Sequence, residues 1–283
     1  MPRLLRSSAL VLAAFLLCPQ ARADMAAPPP PVQRAAAAQT VVIGKVVSIE
    51  EKTVTAKRFP NDPDKAEYKV AVVKIDDAVL GAKGLTHVRV GFISATVDPN
   101  VKIRRPLPVQ LKKDDEVLLF LQPHIEANFQ IAPYYYDGIF KKQDEKGFEK
   151  IAADVKRAGK LLSDPQAALT SKDAKDRADA AMLLIVHYRS GRAVQQKVKE
   201  EPIDAQESKL ILEALAAADW GDGQSRWETL TPAMAFASLN LTAKDGWVQP
   251  QDLKQFPDAA KKWLKENAGK YRIKQWVEDK KNK

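Results

Sequence analysis

The hydrophobic pattern changes period near residue 145, and no other feature limits the fold as much. From Thr40 to Lys142 apolar residues alternate along short runs. Val41, Ile43 and Val47 fall on one face of the first run, and Val42 and Val46 on the other, so both faces are apolar. Tyr68, Val70 and Val72 alternate with Lys69, Ala71 and Val73, and Val88, Val90 and Phe92 oppose His87, Arg89 and Gly91. Val117, Leu119 and Leu121 enclose Leu118 and Phe120, and Phe129 and Ile131 lead to Tyr134, Tyr135 and Tyr136 before Asp137-Gly138. Period-two runs rich in β-branched and aromatic residues, broken by Pro, Gly, Asn and Asp, predict five or six antiparallel strands. Such a set hides its edges by closing into a barrel or stacking as a sandwich. Longer loops are expected at residues 56–66 and 94–108.

From Gly147 onward the apolar spacing becomes helical. Phe148, Ile151, Ala152 and Val155 form one stripe; Ala180, Leu183, Leu184 and His187 a second; Leu210, Ile211, Ala214, Leu215 and Ala218 a third. Asp164-Pro165, Thr231-Pro232 and Pro257-Asp258 carry a capping side chain or an early proline, the usual start of a helix. Ile273, Trp276 and Val277 predict a last, sixth helix with a Lys-rich end. Strands followed by helices predict an α+β chain. It is expected to comprise a signal peptide at 1–23, a Pro/Ala-rich linker at 24–39, a β-barrel at 40–145 and an α-helical domain, bundle or HEAT-like, at 146–283.

The first 23 residues read as a targeting segment. Arg3 and Arg6 precede an apolar run from Ala9 to Leu17, and Ala21-Arg22-Ala23 supplies the small-x-small cleavage pattern. That run is too short for a resident span, which needs roughly 20 apolar residues. The expectation is an exported protein, periplasmic or extracellular, starting at Asp24 and soluble, with no transmembrane segment in the mature chain. Cys18 is the single cysteine and lies inside the leader. A lipoprotein signal is the alternative, but Leu16 and Leu17 stand where a small residue is needed. Cleavage leaves no disulfide, no thiol nucleophile and no thiolate metal ligand. The formal charge of +9 becomes +6 once Arg3, Arg6 and Arg22 are removed, a modest excess suited to weak attraction for anionic surfaces. Pro28 to Pro31 favour a stiff polyproline segment, hence the linker at 24–39.

The segment Ile43-Gly44-Lys45-Val46-Val47-Ser48-Ile49-Glu50, the run Tyr68 to Ile75, the Gly81-Ala82-Lys83-Gly84 turn and the stretch Leu111 to Leu121 together resemble the OB-type barrel of netrin modules and tissue inhibitors of metalloproteinases. That resemblance implies an antiparallel OB-like barrel. Inhibition in that family depends on a cysteine at the mature amino terminus, and here Asp24 stands there, so the inhibitory chemistry is not carried over. Asp173, Asp176-Arg177, Ala180-Ala181 and Leu183-Leu184 resemble one HEAT-type helical hairpin, with no second copy at a fixed period, whereas a solenoid needs about three units. The exported, Ala/Lys-rich character is similar to that of planctomycete secreted proteins, which implies a source and no activity.

Catalytic and metal motifs are absent from the sequence: no G-x-S-x-G elbow, phosphate-binding glycine loop or H-E-x-x-H occurs. His87, His124 and His187 have no second ligand at metal spacing, so no metal and no cofactor is expected. His187 lies on an apolar stripe and is expected as a hydrogen-bonded core or interface histidine. Aligning Gly246 as the sixth position of a calcium loop places Leu241 and Ala243 where oxygen ligands are required, so Asp245-Gly246 reads as a turn.

Lys102, Arg104 and Arg105 put a cationic cluster on a long loop, a candidate contact for an envelope protein or anionic polymer. Nucleic acid is disfavoured, because Tyr134 and Tyr136 point away from Tyr135 and export removes the substrate. Trp220, Trp227, Trp247, Trp263 and Trp276 all lie in the last 64 residues. Trp220 and Trp227 are the further candidate contacts, with burial of Trp220 favoured. The reading is a non-enzymatic binding or scaffolding protein of the periplasm or cell envelope. Its alternatives are an envelope hydrolase with an interdomain site around His187, and a protein-partner or inhibitor module. The sequence leaves the oligomeric state open.

Overall fold

Valines on both faces of the first strand require cover on both sides, and the computed structural model supplies it. It describes residues 29–59, 62–93, 109–132, 138–190, 198–221 and 229–278. β1 (Thr40–Ile49) pairs antiparallel with β3 (Lys65–Leu80) on one side and β5 (Glu116–Pro123) on the other. β3 also pairs with β2 (Val54–Lys57) and β4 (His87–Ile93). β4 runs parallel to the short β6 (Gln130–Ile131), β6 pairs with β5, and β5 pairs with β7 (Ile139–Lys141). The result is a seven-stranded sheet. Register shifts along β1 at Val41/Val42, Ile43/Gly44 and Val46/Ser48 are bulges, which bend and twist a strand.

One face of this sheet buries Val42, Val46, Val73, Val90, Phe92, Val117, Leu119 and Leu121 against one another. The opposite face, with Val41, Leu118 and Phe120, is covered by helices: Ala35 and Ala38 from the amino-terminal segment and Phe148, Ala152 and Val155 from α2 (Phe148–Ser163). Leu118 and Phe120, which sit between the alternating residues of β5, are therefore as buried as their neighbours.

The expected linker is corrected here. Residues 31–37 form a helix, α1 (Pro31–Ala37), and Arg34, Ala35 and Ala36 are buried. Pro31 stands at the first helical position, where its missing N–H costs nothing and its fixed φ suits the helix. The alanines that follow are the best helix formers and small enough to admit close neighbours. The Arg34 guanidinium donates from Nε to the Pro29 carbonyl at 2.7 Å and lies 5.0 Å from the centre of the Phe140 ring.

Strands give way to helices between β7 and α2, where the sequence puts the change, but packing runs across it. α2 presents Phe148, Ala152 and Val155 to the sheet, and Ala158, Leu161 and Leu162 to a second core made by the helices. At Gly159 a side-chain carbon would stand 2.7 Å from the Val79 carbonyl oxygen and 2.5 Å from its Cγ1, so α2 approaches β3 there as only glycine permits. The second core is centred on α4 (Ala174–Arg189), whose residues from Ala180 to Val186 are all buried. Around it lie α1, α2, α3 (Pro165–Leu169), α5 (Ala205–Ala216) and α6 (Pro232–Ser238), with α7 (Phe256–Asn267) against α5. The expected starts hold: Asp164 accepts from Ala167 N, and Thr231 from Met234 N.

The sixth predicted helix is also corrected. Residues 274–278 are a strand, β9 (Lys274–Glu278), paired antiparallel with β8 (Val198–Pro202). The carboxy-terminal half is therefore helical with a two-stranded ribbon rather than all-α. A run of five residues satisfies either period, and the partner strand, VKEEP, has no alternation to announce it. Arg189 ties the ribbon to α4: it is paired with Glu200 at 2.8 Å and lies 5.5 Å from the Trp276 ring centre. No helix among the described residues is long and apolar enough to cross a membrane.

Candidate functional site

Proline-started helices and a long turn bring the carboxy-terminal aromatics together. Thr231-Pro232 opens α6, which turns Phe236 inward and Met234 toward the edge. Phe256-Pro257 opens α7, which carries Trp263 one face on. Between them the 240–255 stretch is held by Thr242 and Asp245, whose carboxylate accepts from both the Thr242 amide and hydroxyl. Those bonds keep the Asp245 carboxyl below its ordinary value. Trp263 Nε1 then donates to the Asp245 carbonyl at 3.0 Å.

Phe236 is the hub of the cluster, in edge-on contact with Trp220, Trp247, Phe256 and Trp263 at centroid distances of 4.8–6.1 Å. Edge-to-face arrangements of this kind add to what area burial alone contributes. Trp220 is buried, and its indole N–H donates to the Leu215 carbonyl at 3.0 Å. Its polar atom is thus used internally, and only ring surface is left for a neighbour.

A cleft of about 860 Å³ opens beside this cluster. Trp220, Met234, Phe256 and Pro257 give it an apolar lining, and Lys254, Asp258 and Lys261 supply its charges. Lys254 is exposed and Lys261 half-buried, and neither ammonium has an ion-pair partner among the described residues. Leu253 lines the mouth with 69% of its surface exposed, and nearby Val248 is 77% exposed. Concave, mostly apolar sites of this size with a few charges are where proteins hold ligands or a partner's protruding side chain.

Of the residues singled out in the sequence, Trp220 forms part of this site, buried as favoured. Trp227 lies outside the described residues, as do Lys102, Arg104 and Arg105 and the tyrosines at 134–136. Met234, Phe256, Lys254 and Lys261 were not anticipated, since they come from three separate segments. The available signal was the crowding of aromatics around two helix-opening prolines.

His187 and His124 are bonded to backbone carbonyls. His187 Nδ1 donates to the Ala36 carbonyl at 2.9 Å, tying α4 to α1. His87 is exposed beside the Thr86 hydroxyl. His124 is buried against Tyr68 and Phe129. Its Nδ1 accepts from the amides of Glu126 and Ala127, which leaves Nε2 to donate to the Lys57 carbonyl at 2.9 Å. That pattern needs the neutral ring, and burial holds its pKa below the ordinary 6.5, with the Lys57 carbonyl and Glu126 opposing. Burial likewise pushes the Tyr68 hydroxyl up to about 12.

Because the folded pKa of His124 is depressed, its contribution is complete above pH 6.5 and is lost as pH falls toward the folded value. Urea unfolding between pH 7.5 and 5 is expected to show wild-type stability dropping faster than that of His124→Gln. The excess slope from one such group is at most about 1.4 kcal/mol per pH unit. Parallel curves would assign the acid sensitivity elsewhere.

Among the described residues no group of three or more His, Cys, Asp or Glu side chains is placed to hold a metal ion. Comparison with protein-family models, with curated proteins and with solved structures finds no match to this chain.

Proposed function

We propose that this chain is an exported, non-catalytic binding or scaffolding protein, and that the cleft beside Trp220 is where it binds. The carrying observation is an apolar, aromatic-walled cleft with two ammonium groups free of ion pairs among the described residues. Export rests on the leader pattern of residues 1–23. The amino-terminal half is read as an OB-like barrel. In support, the pairings run β1-β3-β4-β6-β5 and return to β1, with β4 and β6 parallel. In this reading the sheet half is the platform, packed against the helical half through α1 and α2, and the helical half presents the site.

Anilinonaphthalene sulfonate, an aromatic anion, tests the site directly. Saturable one-to-one binding to the intact protein is expected. Met234→Trp, which fills the cleft from its edge, is expected to weaken binding about tenfold or more, equivalent to roughly 1.4 kcal/mol, with unfolding unchanged. Absence of saturable binding, or binding indifferent to Met234→Trp, would refute the assignment.

A further inference from the structure

The cleft's surroundings say more about its occupant than its lining does. Leu253, in the lining, and Val248, next in sequence to the lining residue Gln249, are two of the three large hydrophobic side chains that stand exposed among the described residues. The third, Leu85, is in the sheet half. A small molecule held within the cleft would leave Val248, which is not among the lining residues, uncovered. A chain running out of the cleft across the 246–256 turn would cover both.

The charges of the cleft lining are mainly cationic. Asp258 is the one carboxylate in the cleft lining, against Lys254 and Lys261. The half-buried position of Lys261 matters most, since a charge beside apolar walls is screened less than one in open solvent. Interfaces match potential to potential, and like charges brought together are penalised.

We propose that the occupant is an acidic polypeptide segment, with one large apolar anchor seated in the cleft and carboxylates adjacent to it in sequence. This deepens the binding role proposed above and rests on it. The anchor occupies the space bounded by Trp220, Met234 and Phe256. The flanking carboxylates meet Lys254 and Lys261, and the rest of the segment lies over Leu253 and Val248. Anchor residues of this kind carry most of the energy of such contacts, while the charges set partner choice and association rate.

The test uses the intact protein and four fluorescein-labelled twelve-residue peptides: a tryptophan flanked by glutamates, the same with glutamines, the same with lysines, and the glutamate peptide with alanine for tryptophan. The glutamate-tryptophan peptide is expected to bind about tenfold more tightly than the glutamine or alanine versions, and the lysine version weakest, a factor of ten being about 1.4 kcal/mol. Lys254→Glu with Lys261→Glu is expected to invert the order of the glutamate and lysine peptides, and Met234→Trp to weaken all four. Equal binding of the glutamate and glutamine peptides would overturn the acidic partner, and equal binding of the tryptophan and alanine peptides would overturn the anchor. A gain of tenfold or more in Trp227→Ala would assign the cleft to the chain's own 222–228 segment and overturn the proposal. Saturable anilinonaphthalene sulfonate binding with no peptide binding would sink this inference and leave the binding role standing; loss of both would remove both.

Discussion

Asp115→Ala is expected to cost about 3–5 kcal/mol of folding stability, the usual penalty for stranding a buried charge. Lys141 Nζ lies 3.0 Å from Asp115 Oδ2, with the two side chains 9% and 5% exposed. The carboxylate does more than neutralise the lysine. Oδ2 also accepts from the Lys112 amide at 2.8 Å, and Oδ1 from Gln143 Nε2 at 3.2 Å. The Asp115 carbonyl accepts from Val46 N. One side chain therefore closes the 112–115 turn and holds the end of β7, where Lys141 pairs with Val117. Removing it leaves an ammonium, a backbone amide and an amide side chain short of their acceptor. The nearest substitute, Asp144, is exposed and 3.9 Å from Lys141.

Lys141→Met is expected to cost less, about 1–3 kcal/mol, because two hydrogen-bond donors still serve the carboxylate. The double variant should be less unstable than the two losses combined, with a coupling of at least about 1 kcal/mol, as for groups acting as one network. Urea unfolding of the four proteins measures this. A loss under about 1 kcal/mol in Asp115→Ala would mean that water reaches the pair freely.

The change from strands to helices was legible because each half keeps one period over many residues. Two-sided strands such as β1 and β5 announced apolar residues on both faces of the sheet. What they could not announce was the cover. α2 was expected in the helical half, and half of it is, but Phe148, Ala152 and Val155 belong to the sheet. Nothing local to a stripe tells which neighbour it meets. α1 was missed for a different reason: proline followed by alanines is also the composition of a stiff polyproline tether, and only tertiary contact distinguishes the two. β8 and β9 fail on length, since five residues fit either period and the pairing between them spans more than seventy positions.

The candidate site was half legible. Trp220 was singled out, and its burial follows from an indole that finds the Leu215 carbonyl five residues back. Lys254 and Lys261 resemble every other lysine of a lysine-rich chain. Their distinction comes from standing beside an apolar cleft, which is a property of three segments folded together. His187 was expected on an apolar stripe, and it bonds across 151 residues of chain to α1. Its partner is a backbone carbonyl on a segment that the sequence reading had placed outside the fold.

That segment gives the sharpest contrast between neighbouring positions. Successive residues of an α-helix point about 100° apart. In α1, Ala35 accordingly enters the core between sheet and helices, and Ala36 the core around α4, while Ala37 faces solvent. Ala35 and Ala36 are 1% and 0% exposed, so a carboxylate at either position would be taken out of water among the apolar residues of the two cores. Ala35→Asp and Ala36→Asp are each expected to cost on the order of 4 kcal/mol, the scale for an uncompensated buried charge. Ala37→Asp should stay within about 0.5 kcal/mol, as surface changes do, apart from a slight penalty for a negative charge at a helix C-terminus. Ala36→Asp should also loosen α4, because His187 depends on the Ala36 carbonyl. Urea unfolding of the three variants separates the alternatives. A tether would leave all three at wild-type stability, whereas a helix wedged between two cores makes the first two severe and the third silent.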